Sequence, residues 1–408
     1  MPNRGLRLVI VTTFPPSTGT LNEYAWHFVR AFQQKREIRE IIVLADELAR
    51  PEPELPNQIN GISLQIQRCW QFNRWDTAQR LMREIEQINP DAVLFNLQFA
   101  TFGNRRIPAA LALLTPALVR QKGIPSIVLL HNIMDTVDLK QAGFAGNQLI
   151  NWLTKFAGRI ITRQLLRADL VAVTIPRYVE ILEQTYAATN VLLAPHGAFE
   201  TPPPPTAPST DCWRFLAFGK FGTYKKVETL IEAFAQVQTK HQQPMELVIA
   251  GSDSPNAAGY LNTVQQQYAH VPNVLFTGYV PEEAVAGLFQ SATAVVFPYT
   301  STTGSSGVLH QAGSYGRAAI LPNLGDLADI ISEEGFDGVF FEPENVTSLA
   351  LALEQLLLDP ARCHALGMQN YAAACGLPIS DVADWYLLHL QTLLRQPAIA
   401  PRFQQEVL

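Results

Sequence analysis

The stretch Phe218-Gly219-Lys220-Phe221-Gly222-Thr223-Tyr224-Lys225-Lys226-Val227 joins an apolar strand, Trp213–Gly219, to a helix with apolar periodicity, Val227–Thr239. A cation at a helix N-terminus opposes the macrodipole, so Lys225 and Lys226 gain nothing locally from standing there. A bound diphosphate supplies the missing reason. Lysines donate to phosphate as compact charges, and Gly219 and Gly222 let backbone approach closely. A solvated basic turn is the alternative that this stretch alone leaves open.

Outward from this junction the same alternation continues. Met245–Gly251, Val274–Phe276, Ala294–Pro298, Ala318–Pro322 and Gly338–Phe341 read as further strands. Helices Ala257–Tyr268, Pro281–Ser291, Ser306–Gly316 and Val346–Leu358 fall between or after them. Short buried strands alternating with longer helices are the signature of parallel βαβ units. Upstream lies the tract Thr201-Pro202-Pro203-Pro204-Pro205-Thr206-Ala207-Pro208, which can continue neither a helix nor a central strand and reads as a linker. Before it the alternation appears once more. Strands Leu6–Thr12, Ile38–Ala45, Ala92–Asn96, Ser126–His131, Leu170–Thr174 and Val191–Ala194 accompany helices such as Leu21–Gln34 and Asp76–Gln87.

The expectation is therefore an α/β chain of two Rossmann-like doubly wound domains facing a central cleft. The first covers residues 1–200, the linker 201–208 and the second 209–378, with a helix in 379–408 crossing back to the first. A length of 408 residues suits two cores, and 48% hydrophobic residues are enough to fill them. A net charge of -6 argues against a nucleic-acid partner, which needs a basic stripe against phosphate. The four cysteines stand far apart with no metal-ligand spacing, so no metal site is expected and the thiols read as reduced. No secretory signal is evident, and the reading is of a cytoplasmic protein, free or peripheral to a membrane.

Open α/β sheets bind ligands beyond the carboxyl ends of their strands, and three loops there draw attention. The first, Thr13-Phe14-Pro15-Pro16-Ser17-Thr18-Gly19-Thr20, places Gly19 just before a helix. The second is the lysine-bearing junction. The third, Tyr299-Thr300-Ser301-Thr302-Thr303-Gly304-Ser305-Ser306-Gly307-Val308, is the densest run of hydroxyls and glycines in the chain and opens another helix. Such a loop can approach a phosphate, ribose or sugar ring closely. Strand Ser126–His131 ends on His131, at the edge where ligands bind; a structural histidine is the alternative.

These loops, in this order, resemble the retaining GT-B glycosyltransferases of family 4 (glycosyl transferases group 1). Thr13-Phe14-Pro15-Pro16…Gly19 looks like the family's Pro-Pro-x-x-Gly-Gly loop, with Thr20 in place of the second glycine. Gly219-Lys220 through Lys225-Lys226, followed by Leu230-Ile231-Glu232-Ala233-Phe234, is similar to its Gly-Arg-x-x-x-x-Lys-Gly turn and Leu-Ile-x-Ala-Phe helix. Leu247-Val248-Ile249-Ala250-Gly251 and Val274-Leu275-Phe276-Thr277-Gly278-Tyr279-Val280 match two more landmarks. The resemblance implies that Lys220 and Lys225 hold the donor diphosphate and that His131 is directed at the transferred sugar. Gly19, Gly219, Gly222, Gly251, Thr303, Gly304, Ser305, Ser306, Gly307, Val308 and Gln311 complete the implied donor site. One departure stands out. The family carries two glutamates eight residues apart, and Thr303 and Gln311 occupy those places. Gln311 keeps a hydrogen-bond acceptor for ribose without the charge, whereas Thr303 cannot replace a carboxylate.

The function implied is transfer of a sugar, with retention, from a nucleotide-diphosphate sugar to a glycan, lipid or small-molecule acceptor. No cofactor beyond that co-substrate and no metal are expected. The alternative is a catalytically impaired GT-B homologue that binds a nucleotide or a partner protein. Lys155, Arg159, Arg163 and Arg167 recur every four residues on a helix with Trp152 and Phe156, a spacing that suits an anionic membrane surface as well as a solvated face.

Overall fold

The computed structural model describes residues 5–17, 19–48, 58–59, 62–133, 148–199, 204–207, 211–254, 257–301, 306–324, 327, 331 and 333–395. The chain forms two compact units. One comprises Met1–Val137, Trp152–His196 and Ile379–Leu408, and the other Asp138–Asn151 and Gly197–Pro378.

In the first unit, strands β1 (Leu6–Val11), β2 (Ile38–Asp46), β3 (Gln58–Ile59), β4 (Ile62–Trp70), β5 (Ala92–Leu97), β6 (Ser126–Leu130), β7 (Leu170–Val173) and β8 (Val191–Leu193) form one sheet. Their order is β3-β4-β2-β1-β5-β6-β7-β8, and every described pairing but β3–β4 is parallel. Helices α1 (Asn22–Phe32), α2 (Thr77–Ile88), α3 (Arg106–Ala112), α4 (Thr115–Gln121), α5 (Gln148–Leu165) and α6 (Pro176–Tyr186) supply crossovers. Strand order steps one way from β5 to β8, so right-handed crossovers place α3 to α6 on a common face of the sheet. The last helix, Ile379–Arg395, returns to this unit and packs on α1. There Tyr386 meets Phe28 with ring centroids 5.1 Å apart, and Lys35 pairs with Asp384 at 2.7 Å.

In the second unit β9 (Trp213–Phe221), α7 (Glu228–Lys240), β10 (Met245–Asp253), α8 (Tyr260–Gln267), β11 (Val274–Gly278), α9 (Glu282–Ser291), β12 (Ala294–Val296), α10 (Gly307–Ser314), β13 (Ala318–Pro322) and β14 (Gly338–Phe341) follow in turn. The parallel sheet runs β11-β10-β9-β12-β13-β14, the doubly wound order in which strand sequence reverses at one central point, here between β9 and β12. Both faces are buried, as the near-continuous apolar runs require. Phe215, Ala217, Leu247 and Ile249 face one core with α7, while Leu216, Val248 and Ala250 face the other with Phe289 of α9 and Leu309 of α10.

Several elements differ from the sequence reading. Strand β9 extends through Lys220 to Phe221, so this lysine belongs to the strand end and not to the loop. Residues Ile107–Val119, an apolar stretch that the sequence reading assigned to no element, contribute to two short helices, α3 and α4, each holding its proline in the first turn, where the missing N–H has no intrahelical partner to lose. Among the described residues no helix is long and apolar enough to cross a membrane.

Candidate active site

The reversal point of the second sheet brings the carboxyl ends of β9 and β12 side by side. At β9 and its neighbour β10, Gly219 (φ +131°) and Gly251 (φ +138°) stand opposite each other in register. A Cβ on Gly251 would come within 1.8 Å of the Gly219 carbonyl oxygen, so only glycine allows the two strand ends to approach this closely. After β9 the chain turns tightly, with the Gly222 amide donating to the Lys225 carbonyl at 2.8 Å. Tyr224 is then tied to the other strand end, because the Thr300 amide donates to its carbonyl at 2.8 Å.

That turn drives Lys225 inward. The residue is only 8% exposed, its Nζ lies 4.7 Å from the Tyr299 ring centroid, and among the described residues no carboxylate pairs with it. A cation-π contact offsets only part of the cost of burying an ammonium. The group is thus held by a ring face on one side and by bare Gly219 on the other. Lys220 is half-buried beside it on β9, while Lys226 is exposed and donates its amide to the Pro298 carbonyl.

The third loop leads to α10. Ser306 precedes the helix with extended backbone, and its hydroxyl meets the Tyr299 hydroxyl at 3.2 Å instead of capping the helix. The Leu309 amide donates to the Ser306 carbonyl at 2.9 Å, whereas the Gly307 and Val308 amides carry no side-chain cap among the described residues and, as the first of the helix, have no intrahelical acceptor. Gln311 is buried one turn later. Further along the fold, His310 Nε2 lies 3.3 Å from the buried Glu334 carboxylate, whose pKa burial pushes up to about 7, with Glu333 adding to the rise. Thr303, Gly304 and Ser305 lie outside the described residues.

The first unit holds a second polar cluster, again where strand order reverses, between β1 and β5. Thr12 follows β1, Asn96 lies near the end of β5 and His131 follows β6. Asn96 Nδ2 donates to Thr12 Oγ1 at 3.0 Å, and Asn96 Oδ1 lies 2.7 Å from His131 Nε2. Tyr24 of α1 stacks edge-on against both His131 and His196, each at 4.7 Å between centroids. Burial, and secondarily the charge of His196, holds the His131 pKa well below its ordinary value, so the ring is neutral. Gly19 packs against Thr13, and its amide donates to Ser17 Oγ at 3.0 Å, so its hydrogen is engaged within the loop. Asn96 and Thr12 carried no motif in the sequence. Only the sheet order brings them to His131.

Residues 213–359 match the family model described as glycosyl transferases group 1. A search of curated protein sequences returns no match. Among solved structures, a sucrose-phosphate synthase from Thermosynechococcus elongatus superposes with a TM-score of 0.74 at 17% identity, covering 96% of this chain and 100% of the other. HepE from Anabaena, solved with UDP-glucose, gives 0.67 at 15% identity over 95% and 100%. A UDP-forming α,α-trehalose-phosphate synthase from Burkholderia xenovorans, in complex with glucose-6-phosphate, gives 0.66 at 11% identity over 95% and 100%. Residues 213–359 thus match the group 1 glycosyl transferases, and the chain as a whole has the GT-B fold of the solved structures it resembles.

Proposed function

We propose that the protein transfers a sugar, with retention, from a nucleotide-diphosphate sugar whose diphosphate lies against Lys225 and Lys220. The carrying observation is the buried Lys225 ammonium, 8% exposed, without an anionic partner among the described residues and facing the backbone of Gly219. As the glycosidic bond of the donor breaks, negative charge builds on the leaving diphosphate. In this reading Lys225, Lys220 and the Gly307 and Val308 amides at the start of α10 stabilise it without a divalent cation. Gln311 accepts from a ribose hydroxyl, and His131 contacts the transferred sugar. HepE, solved with UDP-glucose, makes UDP-sugars the first donors to try.

Charge distribution bears on the acceptor. Residues 92–168 carry nine Lys/Arg against two Asp/Glu, a net +7 within a chain of net -6, so the remainder carries -13. On α5, Arg159 and Arg163 are exposed beside exposed Phe156 and Ile160, while Arg167, expected from its spacing on the same helix, is exposed in the turn after the helix ends at Leu165; the Lys155 side chain lies outside the described residues. Basic and apolar groups together suit an anionic membrane, where such cations contribute about 1 kcal/mol each. We therefore propose peripheral attachment through α5, with an acceptor presented at that surface. Flotation with anionic liposomes tests it: binding at low salt that vanishes in an Arg159→Glu, Arg163→Glu variant supports attachment, and no binding removes it.

The donor reading is tested by nucleotide release across UDP-, GDP- and ADP-sugars, with Lys225→Ala as control. Turnover lost in the variant supports the transferase. Nucleotide binding without turnover on every donor would instead indicate the impaired homologue that Thr303 and Gln311 allow.

A further inference from the structure

We infer that Asn96, buried at the end of β5, is a positioning residue that locks His131 as its Nε2–H tautomer and turns its Nδ1 into a dedicated hydrogen-bond acceptor. The inference rests on the reading that His131 faces the sugar. It follows from counting protons along one buried chain. The Thr12 hydroxyl has a single hydrogen, and it donates that to the Thr13 carbonyl at 3.0 Å. Toward Asn96 the same oxygen can therefore only accept, and Asn96 Nδ2 donates to it at 3.0 Å. The amide orientation is thereby fixed, with Oδ1 turned to the imidazole. A carbonyl oxygen cannot donate, so the proton in the 2.7 Å contact sits on His131 Nε2.

The surroundings hold this arrangement. Thr12 and Asn96 are fully buried and His131 nearly so, which keeps the chain out of contact with bulk solvent. Tyr24 stands edge-on to the ring, and His196, 6.1 Å away between centroids, disfavours a second positive charge. Rotating the imidazole by half a turn would set a carbon against Asn96 Oδ1 and strand a buried acceptor. The neutral ring therefore offers a ligand one lone pair on Nδ1. His131 so oriented receives a hydrogen bond from a hydroxyl, and it is not set up to protonate a leaving group. A sugar hydroxyl has the matching chemistry.

Full-length protein labelled with 15N-histidine tests this through long-range proton–nitrogen correlation spectra. Wild-type His131 is expected to show a protonated Nε2 and a bare Nδ1 throughout pH 6–8. Asn96→Leu and Thr12→Val should lose that pattern, and Thr12→Ser should restore it. If Asn96→Leu does not fold, the isosteric Asn96→Asp replaces it; its carboxylate should draw a second proton onto the ring and introduce a pH dependence that wild type lacks. In turnover, Asn96→Leu or Asn96→Asp should lower kcat/KM for the donor about ten- to a hundredfold, the range for partners that orient a functional histidine. A protonated Nδ1 in wild type, or a tautomer indifferent to Asn96, overturns the inference. A tautomer that responds to Asn96 while turnover does not would leave the hydrogen-bond chain intact, and would overturn instead the reading that His131 faces the sugar.

Discussion

The Lys225 ammonium occupies the space a side chain on Gly219 would need: a Cβ there would stand 2.8 Å from Nζ. Gly219 also carries φ +131°, which L-residues rarely adopt. Gly219→Ala is expected to fold, because the end of a lysine chain can shift aside, with a loss of about 1–3 kcal/mol for the strained backbone. Displacement of Nζ should cut nucleotide affinity by about tenfold or more. Gly251→Ala has no such escape, since its Cβ would lie 1.8 Å from a backbone oxygen, and should fail to give a folded second unit. Calorimetric titration with UDP, beside circular dichroism of both variants, separates the two effects.

Lys225→Met asks whether the buried ammonium serves folding or ligand. A buried charge without a partner destabilises the free protein, so an apolar side chain of similar length should leave the ligand-free Tm unchanged or raise it. The same variant should lose the rise in Tm that a bound nucleotide gives, and kcat/KM for the donor should fall by about 100- to 1,000-fold. Thermal unfolding with and without nucleotide, alongside initial rates, measures all three. A falling ligand-free Tm would mean that the cation-π contact with Tyr299 is structural in purpose.

How much of this was legible beforehand depends on distance along the chain. The alternation of apolar strands and helices led to two doubly wound sheets, and Gly219 and Lys225 were readable because strand, turn and helix lie within a dozen residues. Strand Ile62–Trp70 went unread, since its mixed burial gives neither a continuous apolar run nor clean alternation. Asn96 was readable only as one more strand residue. Its partners lie 84 and 35 residues away, and nothing local distinguishes a strand asparagine that orients a histidine from any other. The contact between Lys225 and Tyr299 is of the same kind, made by the reversal of strand order between β9 and β12.

Glu334 predicts a pH dependence of stability. Its carboxyl, buried against His310, has its pKa raised from 4.5 to about 7. Between those values the folded protein keeps a proton that the unfolded chain releases, so stability falls as pH rises through the window and levels off above it. Glu334→Gln should flatten the profile and stabilise the protein above pH 7 by up to about 3 kcal/mol, because each pH unit across that window changes stability by roughly 1.36 kcal/mol. Urea midpoints at pH 5, 6, 7 and 8 for both proteins measure the slope. A wild-type midpoint that rises with pH over this range would overturn the assignment.

The final helix, Ile379–Arg395, offers a test of what holds it to α1. Tyr386 is fully buried against Phe28, yet its hydroxyl has no hydrogen-bond partner among the described residues. An unsatisfied buried hydroxyl costs about 1–3 kcal/mol, so Tyr386→Phe should leave stability unchanged or increase it. Tyr386→Ala removes the ring and should cost about 3–5 kcal/mol, the usual range for deleting a buried aromatic. The half-exposed Lys35–Asp384 pair should matter far less, with Lys35→Ala costing under about 1 kcal/mol. Denaturation midpoints that rank the three variants in this order would show that apolar packing attaches the helix. A larger loss from Lys35→Ala than from Tyr386→Ala would reverse that conclusion.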